Sequence, residues 1–183
     1  MDVNRATPGR RLFIGLMPDA GVCAQIASHQ RQWFWPPDSR PTRPSQLHLT
    51  LHFLGEVEGD DEERLRDALA TVEVEALHLV LRTPECWSGG VTVLRPDPDA
   101  ALRALHARIT RALAVRGLRS ARERAWTPHV TLARDAAGAA PPEATRPVIW
   151  NVDCFAMVWS RSTPPAGYEV LRIYGGLPGG PEQ

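Results

Sequence analysis

The chain has 183 residues, with 21 basic and 21 acidic side chains and a formal net charge of zero. Every basic residue is arginine. Schiff-base catalysis, pyridoxal phosphate anchoring, a phosphate-loop lysine and ATP-dependent ligation through a lysine adenylate all need an ε-amine, so the composition excludes them. With 43% hydrophobic and 23% charged residues the chain can bury a sizeable core, and its length suits one domain or two small lobes sharing an interface.

The start, Met1 to Arg11, is polar, and the apolar stretch after it is broken by Pro18 and Asp19, so neither a signal peptide nor a membrane span is expected. Cys23, Cys86 and Cys154 are far apart and form no C-x-x-C pair, which fits packing residues in a reduced compartment. The expectation is a cytoplasmic monomer, away from membranes and without a cofactor. Residues 1–10 are expected to be a disordered leader, 11–176 a single bilobal domain and 177–183 a flexible tail.

In chain order, Arg11 to Met17 is a short apolar run ended by Pro18 and reads as a buried strand. Asp19 caps a helix carrying Val22, Ile26 and Trp33, which Pro36 and Pro37 end. Arg40 to Gln46 is a loop. Leu47 to Leu54 alternates apolar and polar residues as a strand with one face in the core, and Gly55 closes it. Asp60 or Asp61 opens a helix with Leu65, Ala68, Leu69 and Val72 on one side. Strands follow at Leu77 to Leu81 and Val91 to Leu94, while Trp87, Gly89 and Gly90 acquire no role. Asp97 or Asp99 starts a long helix with Leu102, Leu105, Ile109 and Leu113 inward, closed by Gly117. Trp126 to Leu132 is a strand which Pro128 confines to a sheet edge or makes begin at His129. After a loop from Asp135 to Pro147, Val148 to Ser160 and Tyr168 to Gly175 complete an α+β order with mainly antiparallel strands and a hint of two similar lobes.

Zero net charge hides two opposed blocks. Glu56 to Glu75 holds nine acids against two arginines, and Arg103 to Arg124 holds seven arginines against one acid. The acidic block reads as a solvated helix face. The arginine block reads either the same way or as a patch for a phosphate backbone.

The chemistry concentrates in two matching tetrapeptides, His48-Leu49-Thr50-Leu51 and His129-Val130-Thr131-Leu132. On a strand, residues i and i+2 share a face, so each segment presents an imidazole and a hydroxyl together. One histidine can serve as base and the other as acid near neutral pH, while the hydroxyls donate to phosphate oxygens. Metal binding is the rival use. His48 and His52 are about 13 Å apart along a strand, and no acidic or cysteine ligand accompanies either motif, so no metal site is expected.

The two motifs, within Leu47 to Val57 and Trp126 to Arg134, together with Arg11 to Ile14, Ser160 and Tyr168 to Leu171, resemble the 2H phosphoesterase superfamily, and within it the RNA 2′,3′-cyclic phosphodiesterases, also called 2′-5′ RNA ligases. The resemblance implies a bilobal 2H fold, with two mainly antiparallel sheets around a central cleft and one His-x-Thr strand per lobe. It also implies hydrolysis of a terminal RNA 2′,3′-cyclic phosphate to a 2′-phosphate, with weak ATP-independent ligation in reverse. His48 and His129 become the catalytic pair, with His129 as base and His48 as acid or the reverse, and Thr50 and Thr131 hold the phosphate. His52 stands where the family commonly has a lysine or arginine and would assist only when protonated. Arg134 is a substrate contact by resemblance, although strand alternation turns it away from Thr131 unless the strand ends or bulges. Tyr168 is either a stacking partner for a base or a core residue. His29, His78 and His106 read as ordinary surface or packing residues. The partners are then RNA ends or small cyclic nucleotides, with two readings left open: another cyclic or 2′-5′ linked nucleotide as substrate, or a non-catalytic module that holds RNA ends.

Overall fold

The structure, a computed structural model, describes residues 9–121, 125–144 and 146–176. The disordered leader and tail expected at the two ends fall, for residues 1–8 and 177–183, outside the described residues. Arg10, assigned to the leader, instead opens the first strand: it pairs with Val57, and its guanidinium bonds Glu62 at 3.4 Å.

Among the described residues, nine strands and three helices occur in the order β1 (Arg10–Leu16), α1 (Ala20–Gln30), β2 (Arg40–Pro41), β3 (Leu49–Val57), α2 (Gly59–Ala70), β4 (Leu77–Trp87), β5 (Val91–Pro96), α3 (Ala100–Val115), β6 (Val130–Arg134), β7 (Val148–Val152), β8 (Cys154–Arg161) and β9 (Gly167–Gly175). Asp19 and Asp99 cap α1 and α3 by accepting from the N–H three residues on, at 2.8 and 2.6 Å. α2 has no side-chain cap and instead places Asp60, Asp61 and Glu62 in its first turn, where the helix dipole favours negative charge. None of these helices is long and apolar enough to cross a membrane.

All strand pairs are antiparallel, in the order β7-β4-β5-β6-β3-β1-β8-β9, with β2 added on β6. The two expected sheets are thus halves of one curled ladder. They meet at a narrow seam, because β3 and β6 share the single pair Leu49↔Val130. β6 lies inside the sheet, contrary to an edge placement. Pro128 precedes the ladder, so its missing N–H costs no sheet bond. The expected strand from Val148 to Ser160 breaks at Asp153, where the chain leaves β4 on one side and joins β1 and β9 on the other. β3 continues past Gly55 to Val57, because Gly55 adopts φ +75° at a register shift that a side chain would resist.

One face of the sheet carries the main core. Leu12, Ile14 and Leu16 of β1 and Leu49 and Leu51 of β3 are buried with Val22 and Ile26 of α1, Leu65 and Leu69 of α2, and Leu102, Leu105, Ile109 and Leu113 of α3. Each such side chain contributes about 1.5–3 kcal/mol by leaving water. α2 packs on α3, and this contact brings the two charge blocks together: Arg108 bonds Glu75, and Arg116 lies 3.9 Å from Asp67. Part of the arginine block is therefore neutralised locally. The opposite face carries a smaller cluster, Phe13, Ala156 and Val158 with Met17, Phe53 and Tyr168 against it. Alternation along β1 sends Leu12 and Ile14 to one face and Phe13 to the other.

Candidate active site

The seam between β3 and β6 determines the site. Continuing the Leu49↔Val130 register by one residue sets His48 level with Thr131 and His129 level with Thr50, so the two tetrapeptides meet as a near two-fold pair. All four side chains line one cleft of about 810 Å³, as do His52, Arg134 and Tyr168. Among the described residues, three arginines and four histidines face this cleft and no carboxylate does, in a chain whose net charge is zero. Such a wall is built for an anion.

Each histidine is oriented in the same way. His48 Nδ1 lies 2.8 Å from the carbonyl oxygen of Gln46 and His129 Nδ1 lies 2.7 Å from that of Thr127. A carbonyl only accepts, so Nδ1 carries the proton and Nε2 is left as the nitrogen available for proton transfer. Both imidazoles are held below their ordinary value of 6.5. For His48 the cause is burial first, opposed by the Gln46 carbonyl and reinforced by His129 and Arg134. For His129 it is again burial, opposed by the Thr127 carbonyl and by Glu85, with Arg134 and Arg95 adding to the depression.

Strand irregularities decide the remaining positions. Between β5 and β6 the register shifts from Val93↔Thr131 to Thr92↔Ala133, which leaves Leu132 as an extra residue on β6. That bulge reverses the parity of the residues after it, so Arg134 lines the cleft despite the plain alternation rule. The bulged carbonyl of Leu132 is used: it accepts from the buried Gln30 Nε2 at 2.8 Å and from Thr42 N–H at 2.8 Å. A similar shift between Ile14↔His52 and Gly15↔Thr50 leaves Leu51 extra on β3. His52 therefore does not continue the face of His48 and Thr50. It is buried against α3, with Nε2 3.2 Å from the His106 carbonyl oxygen and 3.4 Å from Thr110 Oγ1. Burial also holds its pKa down, which opposes the cationic role expected of it.

Several cleft residues lie outside both motifs. His106, expected to be ordinary, stacks between His52 at 4.2 Å and Trp126 at 4.0 Å, and burial with His52 beside it pushes its pKa down to about 4. Trp126 donates its indole N–H to the Thr50 carbonyl at 2.9 Å and so anchors the first motif. Trp87, left without a role by the sequence, meets the His129 ring edge-to-face at 4.6 Å; its N–H donates to Glu85 at 2.6 Å, and Glu85 accepts from Arg95 at 2.7 Å. The hairpin that carries Trp87 turns at Gly89 and Gly90, both at positive φ, and a Cβ on Gly90 would meet the backbone of Ala136 and Ala137 at 3.0 Å. Phe13 and Tyr168 flank His48 at 4.8 and 5.0 Å. Among the described residues, no group of three or more histidine, cysteine or acidic side chains is gathered closely enough to hold a metal ion.

Comparison with known proteins gives the same outline. The sequence pattern of the 2′-5′ RNA ligase superfamily matches residues 18–174. An Escherichia coli (strain K12) protein described as RNA 2′,3′-cyclic phosphodiesterase is 33% identical over 138 residues, covering 71% of this chain and 74% of its own. Among solved structures, E. coli LigT in apo form superimposes with a TM-score of 0.78 at 26% identity, covering 92% of this chain and 98% of that one. LigT complexed with 3′-AMP gives 0.76 at 26% identity over the same shares. The TT0787 protein of Thermus thermophilus gives 0.64 at 28% identity, over 90% and 97%.

Proposed function

Because the chain belongs to the 2′-5′ RNA ligase superfamily, we propose that it opens the terminal 2′,3′-cyclic phosphate of RNA to a 2′-phosphate by acid–base catalysis between its two His-x-Thr motifs. The observation that carries this reading is the matched orientation of the two imidazoles. Both give Nδ1–H to a backbone carbonyl, and both keep Nε2 for a cleft that also holds Thr50, Thr131 and Arg134.

In this mechanism Nε2 of His129 takes a proton from water while the water oxygen forms its bond to phosphorus. The bond from phosphorus to the 3′ oxygen breaks, and Nε2–H of His48 delivers a proton to that oxygen. The 2′ oxygen remains on phosphorus, which makes the product a 2′-phosphomonoester. Thr50 and Thr131 donate to the non-bridging oxygens, and Arg134 balances the charge that develops on them. A 5′-hydroxyl in place of water gives a 2′-5′ linkage, with no ATP consumed and no need for the lysine this chain lacks.

The test is to incubate the protein, without metal or ATP, with an RNA ending in a 2′,3′-cyclic phosphate and to identify the phosphomonoester formed. The 2′-phosphate is expected. A 3′-phosphate, or no product, overturns the proposal.

A further inference from the structure

Arg134 enters the cleft from the last residue of β6, and little in the strand itself aims it. Asp135 follows at φ +51°, so the strand ends there. The cleft offers no carboxylate among its described lining residues to hold the guanidinium. The direction of the side chain therefore depends on the extra residue at Leu132. Without that bulge, plain alternation would turn Thr131 and Arg134 to opposite faces of the sheet.

The bulge is held from outside the cleft. Gln30, the last residue of α1, is buried and is not among the residues that line the cleft. Its carboxamide has two N–H donors and uses both, one to the Leu132 carbonyl at 2.8 Å and one to the Thr42 carbonyl at 3.1 Å. Thr42 donates its own N–H to the Leu132 carbonyl at 2.8 Å, next to the Pro41↔Ala133 and Arg40↔Arg134 pairs of β2 with β6. One side chain thus ties the end of α1, β2 and the bulge together, across 102 residues of chain. An apolar side chain of similar length would take one of the two donors from Leu132 and leave the Thr42 carbonyl without its carboxamide partner.

We propose that Gln30 is a positioning residue for the phosphate site: by holding the Leu132 carbonyl it keeps the β6 bulge, and so keeps Arg134 turned toward the two His-x-Thr motifs. The inference rests on the proposed role of Arg134 in the hydrolysis and adds a residue that lies in neither motif.

The experiment follows the His48 and His129 rings by NMR titration in the unaltered protein, in Gln30→Met, in Arg134→Gln and in the double variant. The charged neighbours of His48 are His129 and Arg134, and those of His129 are Arg134, Arg95 and Glu85. Arg134 alone depresses both rings from outside the pair, so Arg134→Gln should raise both pKa values. Gln30→Met should raise both as well, and the double variant should rise no further than Arg134→Gln. In the same set, kcat/KM for a nucleoside 2′,3′-cyclic phosphate should fall about ten- to a hundredfold in each single variant, the scale of one charge-assisted hydrogen bond, and hardly further in the double. Gln25→Met removes another α1 carboxamide, bonded to the backbone of Ile149 on β7, and should leave both readouts unchanged. Unshifted rings in Gln30→Met, or effects that add in the double variant, overturn the proposal. If Gln30→Met does not fold, Thr42→Pro removes the other donor to the same carbonyl and must raise both values; no rise overturns it. If the cyclic phosphate is not hydrolysed at all, the activity reading fails by itself, and the ring titrations still decide whether Gln30 positions Arg134.

Discussion

The two His-x-Thr motifs have nearly the same sequence and the same backbone tether, yet their surroundings differ in kind. His48 is enclosed by Phe13 and Tyr168, and its electrostatic neighbours are the other histidine and Arg134. His129 is met by Trp87, behind which stands the charged pair Glu85 and Arg95. Burial is the largest cause of depression at both, but a carboxylate pulls the other way at His129 alone. An internal pseudo-symmetry therefore fixes which atoms face the cleft, while the packing behind each ring is free to give the two imidazoles different proton affinities. Acid–base chemistry by a matched pair needs that difference, because one partner must be neutral while the other is charged.

The largest effects should come from the rings themselves. His48→Ala and His129→Ala are each expected to lower kcat on a nucleoside 2′,3′-cyclic phosphate by about 10²- to 10⁴-fold. A substrate whose 3′ oxygen is replaced by sulfur, a leaving group that departs without a proton, separates the roles: it should restore much of the rate to His48→Ala and little to His129→Ala. Rescue of the other variant would reverse the assignment.

A smaller loss is expected behind His129. Trp87→Ala should reduce kcat by up to about tenfold, the scale of one aromatic contact, with KM little changed, while Trp87→Phe keeps most of the rate. Glu85→Gln removes the carboxylate that raises the His129 pKa, so the His129 limb of the pH profile should move to lower pH and the His48 limb should stay. An unchanged profile in Glu85→Gln would break the contrast between the two halves.

The finest test is the pH dependence of the unaltered protein. Both imidazoles lie below 6.5, and the state with one charged and one neutral ring is most populated between their two pKa values. The kcat/KM optimum should therefore fall on the acid side of pH 6.5. The kcat optimum should lie higher, because a bound phosphodiester anion favours the protonated ring. A profile of kcat/KM that is flat from about pH 5 to 9, or that peaks above about 7, contradicts the depression.

Alternation and capping made much of the fold legible. Leu47 to Leu54 reads as a half-buried strand because its apolar side chains fall on every second residue, and the helix starts at Asp19 and at Asp97 or Asp99, of which Asp99 is the cap, follow from side chains that satisfy a free N–H. The same rule fails wherever a strand carries an extra residue. Parity alone sends His52 to the face of Thr50 and Arg134 away from that of Thr131, and the bulges at Leu51 and Leu132 reverse both. Parity is local, whereas a bulge is selected by the partner strand and by groups such as Gln30 and Thr42 that take up the displaced carbonyl.

Charge divides in the same way. Residue types alone dictate that any phosphate would have to be handled without lysine, that two imidazole–hydroxyl pairs exist, and that acidic and arginine blocks oppose each other along the chain. Which arginines pair with acids across the α2–α3 contact, and which are left at the cleft, depends on how the helices and sheet pack. The same packing brings Trp87, Trp126 and His106 to the motifs. Residue type and short spacing are written in the chain. A contact between residues 42 or 76 apart, such as Trp87 with His129 or Trp126 with Thr50, exists only once the sheet has closed and both partners have lost their water.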